Sequence, residues 1–340
     1  MSDIRLDPRS LLHLLFHGSK AIEVIETARL LGILDAIEPG PIGLEPLARA
    51  IGAAPLRLYK FLDCLESLQL VVREQPSDDL ASASYRAVPG LNEAADIVLG
   101  EGAQERDRDR LPWRELAGRM PDFLAGRDAV PASVFDWPPP EDQAASFEAS
   151  MRAGLGPFLE AFDGHGEVLF CGARRWLDVG GGDGTLAVRV LGARPNLAAS
   201  VFNLPVVEPL VRTVAAENGL QDRLAFVGGD FLAGPLPDGH DLISFVRVLH
   251  DWPAETARML IGKARDALAP GGRIAISEEF RTPERLATQF FWTWFLVGAD
   301  SCVSRLREAA YYERALAEAG FADIRRLPGP MEIVTAVRAG

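Results

Sequence analysis

Between residues 11 and 38, in LLHLLFHGSKAIEVIETARLLGILDAIE, apolar side chains recur at helical spacing. The pattern predicts two helices broken near Gly18, apolar enough that another layer or a second subunit should cover them. GLEPLARAIGAAPLRLYKFLDCLESLQLVVRE predicts a short helix ending near Gly52 and a longer one from about Pro55 to Leu70, with proline suited to a first turn. VVREQPSDDLASASYRAVPG reads as two strands around a polar turn. Helix, turn, helix and hairpin together form a winged-helix pattern. Residues 91–127 read as helical, with EGAQERDRDR as solvated surface. The proline-rich AVPASVFDWPPPEDQ, residues 129–143, reads as a linker or extended arm.

From about residue 168 short apolar runs alternate with helical stretches. The runs are RWLDV, LAASVFN, RLAFVGGD, DLISFVRVLHD and GRIAISEE. TLAVRVLGA, VEPLVRTVAAENG and PAETARMLIGKARDALAPGG lie between them. This alternation predicts an α/β fold with a Rossmann-like, doubly wound sheet. A last helix, REAAYYERALAEAGF, precedes two strand-like runs that close the sheet with a hairpin. The expected organisation is a mainly helical winged-helix domain over 1–128, a linker and substrate-side helix over 129–167, and a catalytic domain over 168–340.

Length supports this division, because 340 residues exceed one typical small domain. A net charge of −13 disfavours a nucleic-acid partner and suits a neutral or cationic small ligand. The second helix of the winged-helix pattern agrees, since Arg57 and Lys60 are offset by Asp63 and Glu66 and no basic face results. Cys64, Cys171 and Cys302 are far apart and odd in number, which suits a reduced, cytoplasmic setting. The first residues do not read as a secretion signal, and no apolar run reaches about 18 residues, so no membrane span is expected. His13 and His17 lie four apart, but no carboxylate or cysteine cluster accompanies them, and no metal site is expected.

LDVGGGDGT, residues 177–185, follows the first strand of the alternating region and precedes a helix. Gly180, Gly182 and Gly184 form G-x-G-x-G, two residues after Asp178. The spacing is neither the dinucleotide fingerprint nor the phosphate loop ending in Gly-Lys-Ser/Thr. An acidic residue before a backbone free to approach a ligand suits S-adenosylmethionine, whose amino-acid portion carries an ammonium and no pyrophosphate. In a doubly wound sheet ligands bind beyond the carboxyl ends of the strands. Asp178, Asn203, Asp230, His250 and Glu278 all fall at such ends.

LDVGGGDG, FNLP, GGDF, VLHDW and GGRIAISEE occur in the order and spacing of the plant caffeic-acid-type O-methyltransferases, which the chain resembles over nearly its whole length. Bacterial members of that family methylate aromatic antibiotics, hydroxylated carotenoids and bacteriochlorophyll precursors. The resemblance implies a homodimer built through the winged-helix domain and a metal-independent catalytic domain that uses S-adenosylmethionine. It implies that Asp178 and the backbone of Gly180, Gly182 and Gly184 hold the methionine portion of the donor. Asn203 would contact the ribose where the family usually has aspartate, which gives up one charge-assisted bond. Asp230 and Phe231 would contact adenine, the alternative for Phe231 being core packing.

The same resemblance makes His250 the general base with Glu278 as its orienter, the alternative for His250 being a satisfied strand-end histidine; Asp251 is read as a neighbour with a positioning duty. The chemistry is consistent, because a phenol (pKa about 10) needs its proton removed as it attacks and an imidazole (about 6.5) is suited to the task. The family's second acidic residue beside the base has no clean match here; its place falls near Leu306, with Arg307 and Glu308 as neighbours. Phe147, Met151, Phe291, Trp292, Trp294 and Phe295 would line the pocket of a small aromatic acceptor, the alternative being core or dimer interface. Asn203 and VGADSCVSRLREAAYYERAL also resemble the bacteriochlorophyllide C-methyltransferases, so methylation of a carbon ortho to a phenol is an alternative outcome. A non-catalytic winged-helix regulator and a nicotinamide oxidoreductase are the readings of other classes. The acid-balanced helix argues against the first, and the glycine spacing argues against the second.

Overall fold

The computed structural model describes residues 8–74, 83–99, 121, 122, 125, 127, 144–282, 306–329 and 331–340. The chain divides into two compact units, Met1–Pro112 and Trp113–Gly340.

The first unit opens with helices α1 (Pro8–Phe16), α2 (Gly18–Leu30) and α3 (Ile33–Ile37). The first break falls at His17, beside the predicted Gly18, and a second at Leu31–Gly32, where Gly32 is left-handed, makes three helices where the pattern predicts two. The pair α4 (Leu44–Ile51) and α5 (Pro55–Ser67) follows β1 (Ile42–Gly43). Gly52 closes α4 in the left-handed conformation, at φ +70°, where glycine has no side chain to strain. Strands β2 (Val71–Arg73) and β3 (Ser84–Ala87) pair antiparallel, and β1 adds to β3, completing the winged-helix arrangement. Helix α6 spans Leu91–Leu99. Leu44, Leu47, Leu58, Leu62, Leu65 and Tyr85 make the core. Arg73 of β2 binds Glu66 at 2.7 Å and reaches Asp63 at 3.6 Å, so these acids face a strand residue as well as their own helix. On α1 and α2, by contrast, Leu12, Leu15, Phe16 and Leu30 are 66, 64, 83 and 85% exposed.

The second unit begins with α7 (Ala144–Ala153), α8 (Gly156–Gly164) and α9 (Gly166–Leu169). Its sheet comprises β4 (Arg175–Val179), β5 (Ala198–Asn203), β6 (Leu224–Gly228), β7 (Leu242–Val246), β8 (Arg273–Ser277), β9 (Phe321–Leu327) and β10 (Ile333–Arg338). Helices α10 (Thr185–Ala193), α11 (Glu208–Glu217), α12 (Ala254–Ala267) and α13 (Ala309–Glu318) connect or flank these strands. The order is β6-β5-β4-β7-β8-β10-β9; β4 to β8 run parallel, and β10 is antiparallel to both its neighbours. The parallel strands are mainly apolar because both faces are covered. Trp176, Val201 and Leu242 pack with α8, α10 and α11 on one face, while Leu177, Phe245 and Ile276 pack with α12 and α13 on the other. The strand order reverses between β4 and β7, which opens a crevice at their carboxyl ends.

Candidate active site

The loop leaving β4 and the turn leaving β7 meet at this crevice. Gly180 has φ +69°, and a Cβ there would lie 2.7 Å from Val248 Cγ2. A Cβ at Gly181 would lie 2.5 Å from Asp178 Oδ2, and one at Gly182 2.9 Å from Glu148 Oε2. Only glycine allows this loop to fold so tightly over two carboxylates. Gly184, at φ +87°, then starts α10.

Asp178 is 1% exposed. Its Oδ1 accepts the Ser244 hydroxyl at 2.6 Å, and that hydroxyl accepts the Trp176 indole N–H at 2.7 Å. Its Oδ2 is buried without a partner among the described residues. Burial pushes the carboxyl up to about 7, against the pull of the Ser244 bond. Asn203 ends β5 with its side-chain oxygen accepting the Leu204 N–H at 2.8 Å. Asp230 is exposed beyond β6 and accepts the Leu232 N–H at 2.8 Å. Phe231 is 6% exposed and packs edge-to-face on Trp252, with ring centroids 5.6 Å apart.

His250 corrects the strand-end expectation. Strand β7 stops at Val246, and His250 lies on the 3-10 turn Leu249–Asp251. Arg247 causes the break. Its N–H still pairs with Ser277 at 3.0 Å, but its φ of 56° turns the chain out of the sheet. Glu278, just past β8, replaces the lost strand partner: Oε1 accepts the Val248 and Leu249 N–H groups at 3.0 and 2.7 Å. Its Oε2 bonds His250 Nδ1. One buried carboxylate thus holds both the turn and the imidazole. On the other ring nitrogen, Nε2 lies 3.3 Å from Asp251 Oδ1, and the Asp251 side chain is 48% exposed. Burial pulls the imidazole pKa down, but Asp251 and Glu278 outweigh it and hold it well above the usual 6.5.

Several side chains that shape the site have no legible signature in the sequence. Arg307, 5% exposed, donates Nη1 to the Leu249 carbonyl at 2.9 Å and Nη2 to that of Trp252. It thereby holds the histidine turn from behind. Its neighbour Glu308 faces Arg281 at 3.6 Å. Lys263 of α12 donates to the carbonyls of Phe231, Leu232 and Gly234 at 2.6, 3.1 and 2.7 Å, which fixes the loop after β6. Arg247 donates to the Met151 carbonyl at 2.8 Å and joins α7 to the end of β7. Met151 and Phe147 lie on α7, whereas Phe291, Trp292, Trp294 and Phe295 lie outside the described residues, as does the His13 side chain. His17 pairs with Lys20 at 3.1 Å. No cluster of three or more His, Cys, Asp or Glu fit for a metal occurs among the described residues.

Residues 158–322 match the O-methyltransferase domain family. The chain is 32% identical, over 91% of its length and 81% of the relative's, to demethylspheroidene O-methyltransferase of Cereibacter sphaeroides. It is 28% identical, over 92% of its length and 90% of the relative's, to the N,N-dimethyltransferase OxyT of Streptomyces rimosus. Among solved structures, the S-adenosylmethionine-dependent methyltransferase SibL in its apo form superposes with a TM-score of 0.68 at 24% identity, covering 97% of this chain and 99% of that one. With a doubly wound sheet, a glycine loop over buried carboxylates and a carboxylate-held histidine at its rim, the chain belongs to the O-methyltransferase family.

Proposed function

We propose that the chain methylates a hydroxyl on a small aromatic or polyene metabolite, using S-adenosylmethionine, with His250 as general base. The observation that carries this reading is the bond from His250 Nδ1 to the buried Glu278, which fixes the ring and commits Nε2 to the proton transfer. The glycine loop suits the donor. The unpartnered Asp178 Oδ2 lies beneath a cradle that any Cβ at Gly181 would fill, and a cationic aminoacyl group meets that chemistry. Asp178 and the backbone of Gly180, Gly182 and Gly184 hold the methionine end, the Asn203 amide takes the ribose, and Asp230 beside Phe231 takes the adenine.

S-adenosylmethionine supplies an electrophilic methyl group on a sulfonium whose positive charge disfavours an imidazolium at the same rim. In the free protein the two carboxylates favour the protonated ring. The acceptor hydroxyl takes the place of Asp251 at Nε2, which the exposed Asp251 side chain can yield. His250 then receives the hydroxyl proton, and Glu278 stabilises the resulting imidazolium. Phe147 and Met151 of α7 stand on the acceptor side. The exposed apolar face of α1 and α2 supports a homodimer in which a second copy covers it. The free thiols of Cys64 and Cys171 suit a reducing, cytoplasmic setting.

Incubation with methyl-labelled S-adenosylmethionine and a panel of phenols and hydroxylated polyenes tests the reading. Mass spectrometry and NMR should find the label on oxygen; label on a ring carbon, or no transfer across the panel, contradicts it.

A further inference from the structure

Glu148 lies on α7, outside the sheet, and is 6% exposed. None of the described residues hydrogen-bonds its carboxylate. The basic residue one turn along, Arg152, binds Asp183 instead, at 2.8 Å. Asp183 is otherwise satisfied by the Thr185 N–H and hydroxyl at 3.0 and 2.7 Å. Glu148 Oε2 nevertheless points into the glycine loop, 2.9 Å from where a Cβ of Gly182 would stand. A buried carboxylate without a partner is costly unless a ligand completes it. Burial, then the neighbouring Asp183, push its pKa up to about 7, the behaviour of a group that lacks its cation.

The geometry points to Glu148 as a binding residue for the α-ammonium of the methyl donor, closing the glycine loop from the acceptor-side helix. This rests on the donor assigned above. An ammonium suits the position because it brings three N–H donors to the carboxylate, whereas a sulfonium brings none. Asp178 cannot do this alone, since it lies beneath the loop with one oxygen already on Ser244. Glu148 faces the loop from the opposite element, the same helix that carries Phe147 and Met151. Donor binding would therefore seat the helix that lines the acceptor side.

Calorimetry on full-length wild type and Glu148→Gln tests this with S-adenosylmethionine, S-adenosylhomocysteine, its analogue lacking the α-amino group, and 5′-methylthioadenosine. Glutamine keeps the shape and removes the charge. The expected result is that S-adenosylmethionine and S-adenosylhomocysteine both lose about tenfold or more in affinity, while the other two ligands bind both proteins alike. Equal losses for all four ligands, a loss for S-adenosylmethionine alone, or no loss overturns the assignment. Should the variant fold poorly, the wild type decides: removal of the amino group must weaken binding by a similar factor, and unchanged affinity overturns the proposal. A wild type that binds neither S-adenosylmethionine nor S-adenosylhomocysteine overturns the donor reading itself.

Discussion

Arg307 Nη1 donates to the carbonyl of Leu249 at 2.9 Å, across a separation of 58 residues. This bond, with the one to the Trp252 carbonyl, brackets His250 and Asp251. It ties the segment before α13 to the histidine turn. Arginine suits that place because its fork donates to two carbonyls from one planar group. Arg307→Met should remove the side-chain donor from both carbonyls and let the turn move. We expect kcat to fall about 10- to 100-fold, as misplacement of a catalytic group does, while the Kd for S-adenosylhomocysteine changes less than about twofold. A merely structural role would weaken both together.

The pH dependence of turnover follows from the two carboxylates on His250. Asp251 and Glu278 hold the free ring above its ordinary 6.5, so with His250 as the proposed base turnover should rise as pH rises through that raised value. Asp251→Asn removes one carboxylate that raises the pKa, so the rising limb should move to lower pH. A pH profile of kcat/KM for both proteins checks the direction; a shift to higher pH contradicts it.

Asp178 links pH to stability. Its ordinary value of 3.8 is raised to about 7 in the folded protein. The stability associated with its protonated form is therefore complete below about 4 and is lost as pH rises through about 7. Asp178→Asn keeps a partner for Ser244 and removes the titration. Without ligand, the Tm of the variant relative to wild type should increase between pH 5 and pH 8. A constant difference across that range would show that Asp178 does not titrate there.

Phe16 and Leu30 are 83 and 85% exposed on α1 and α2. If a second copy covers that face, Phe16→Glu combined with Leu12→Glu should convert a dimer to a monomer, because charges introduced into an apolar interface are not solvated. Light scattering after size exclusion reads the mass directly. A double variant that stays dimeric places the interface elsewhere.

Most of the framework was legible because it is written in local patterns. Apolar runs marked β4 to β8, and Gly180, Gly182 and Gly184 marked the tight turn that follows β4. The end of β7 was misjudged because the apolar run continues to Leu249, while the break is a backbone turn at Arg247 that periodicity does not reveal. Glu148, Lys263 and Arg307 were missed for a different reason. Each is a charged residue on or beside a helix, a type that is usually exposed, and only tertiary packing shows that it is turned inward onto carbonyls or the glycine loop. Glu278 was legible through its spacing from His250, but not its second task of accepting two backbone N–H groups.

The central claim is that His250 removes the acceptor proton. Steady-state turnover of a good phenolic acceptor by wild type and His250→Ala, alongside the Kd of each for S-adenosylhomocysteine, tests it most directly. The account predicts a loss in kcat of about 100-fold or more, with cofactor affinity unchanged within about twofold. Methyl transfer that survives within about tenfold of wild type would contradict it.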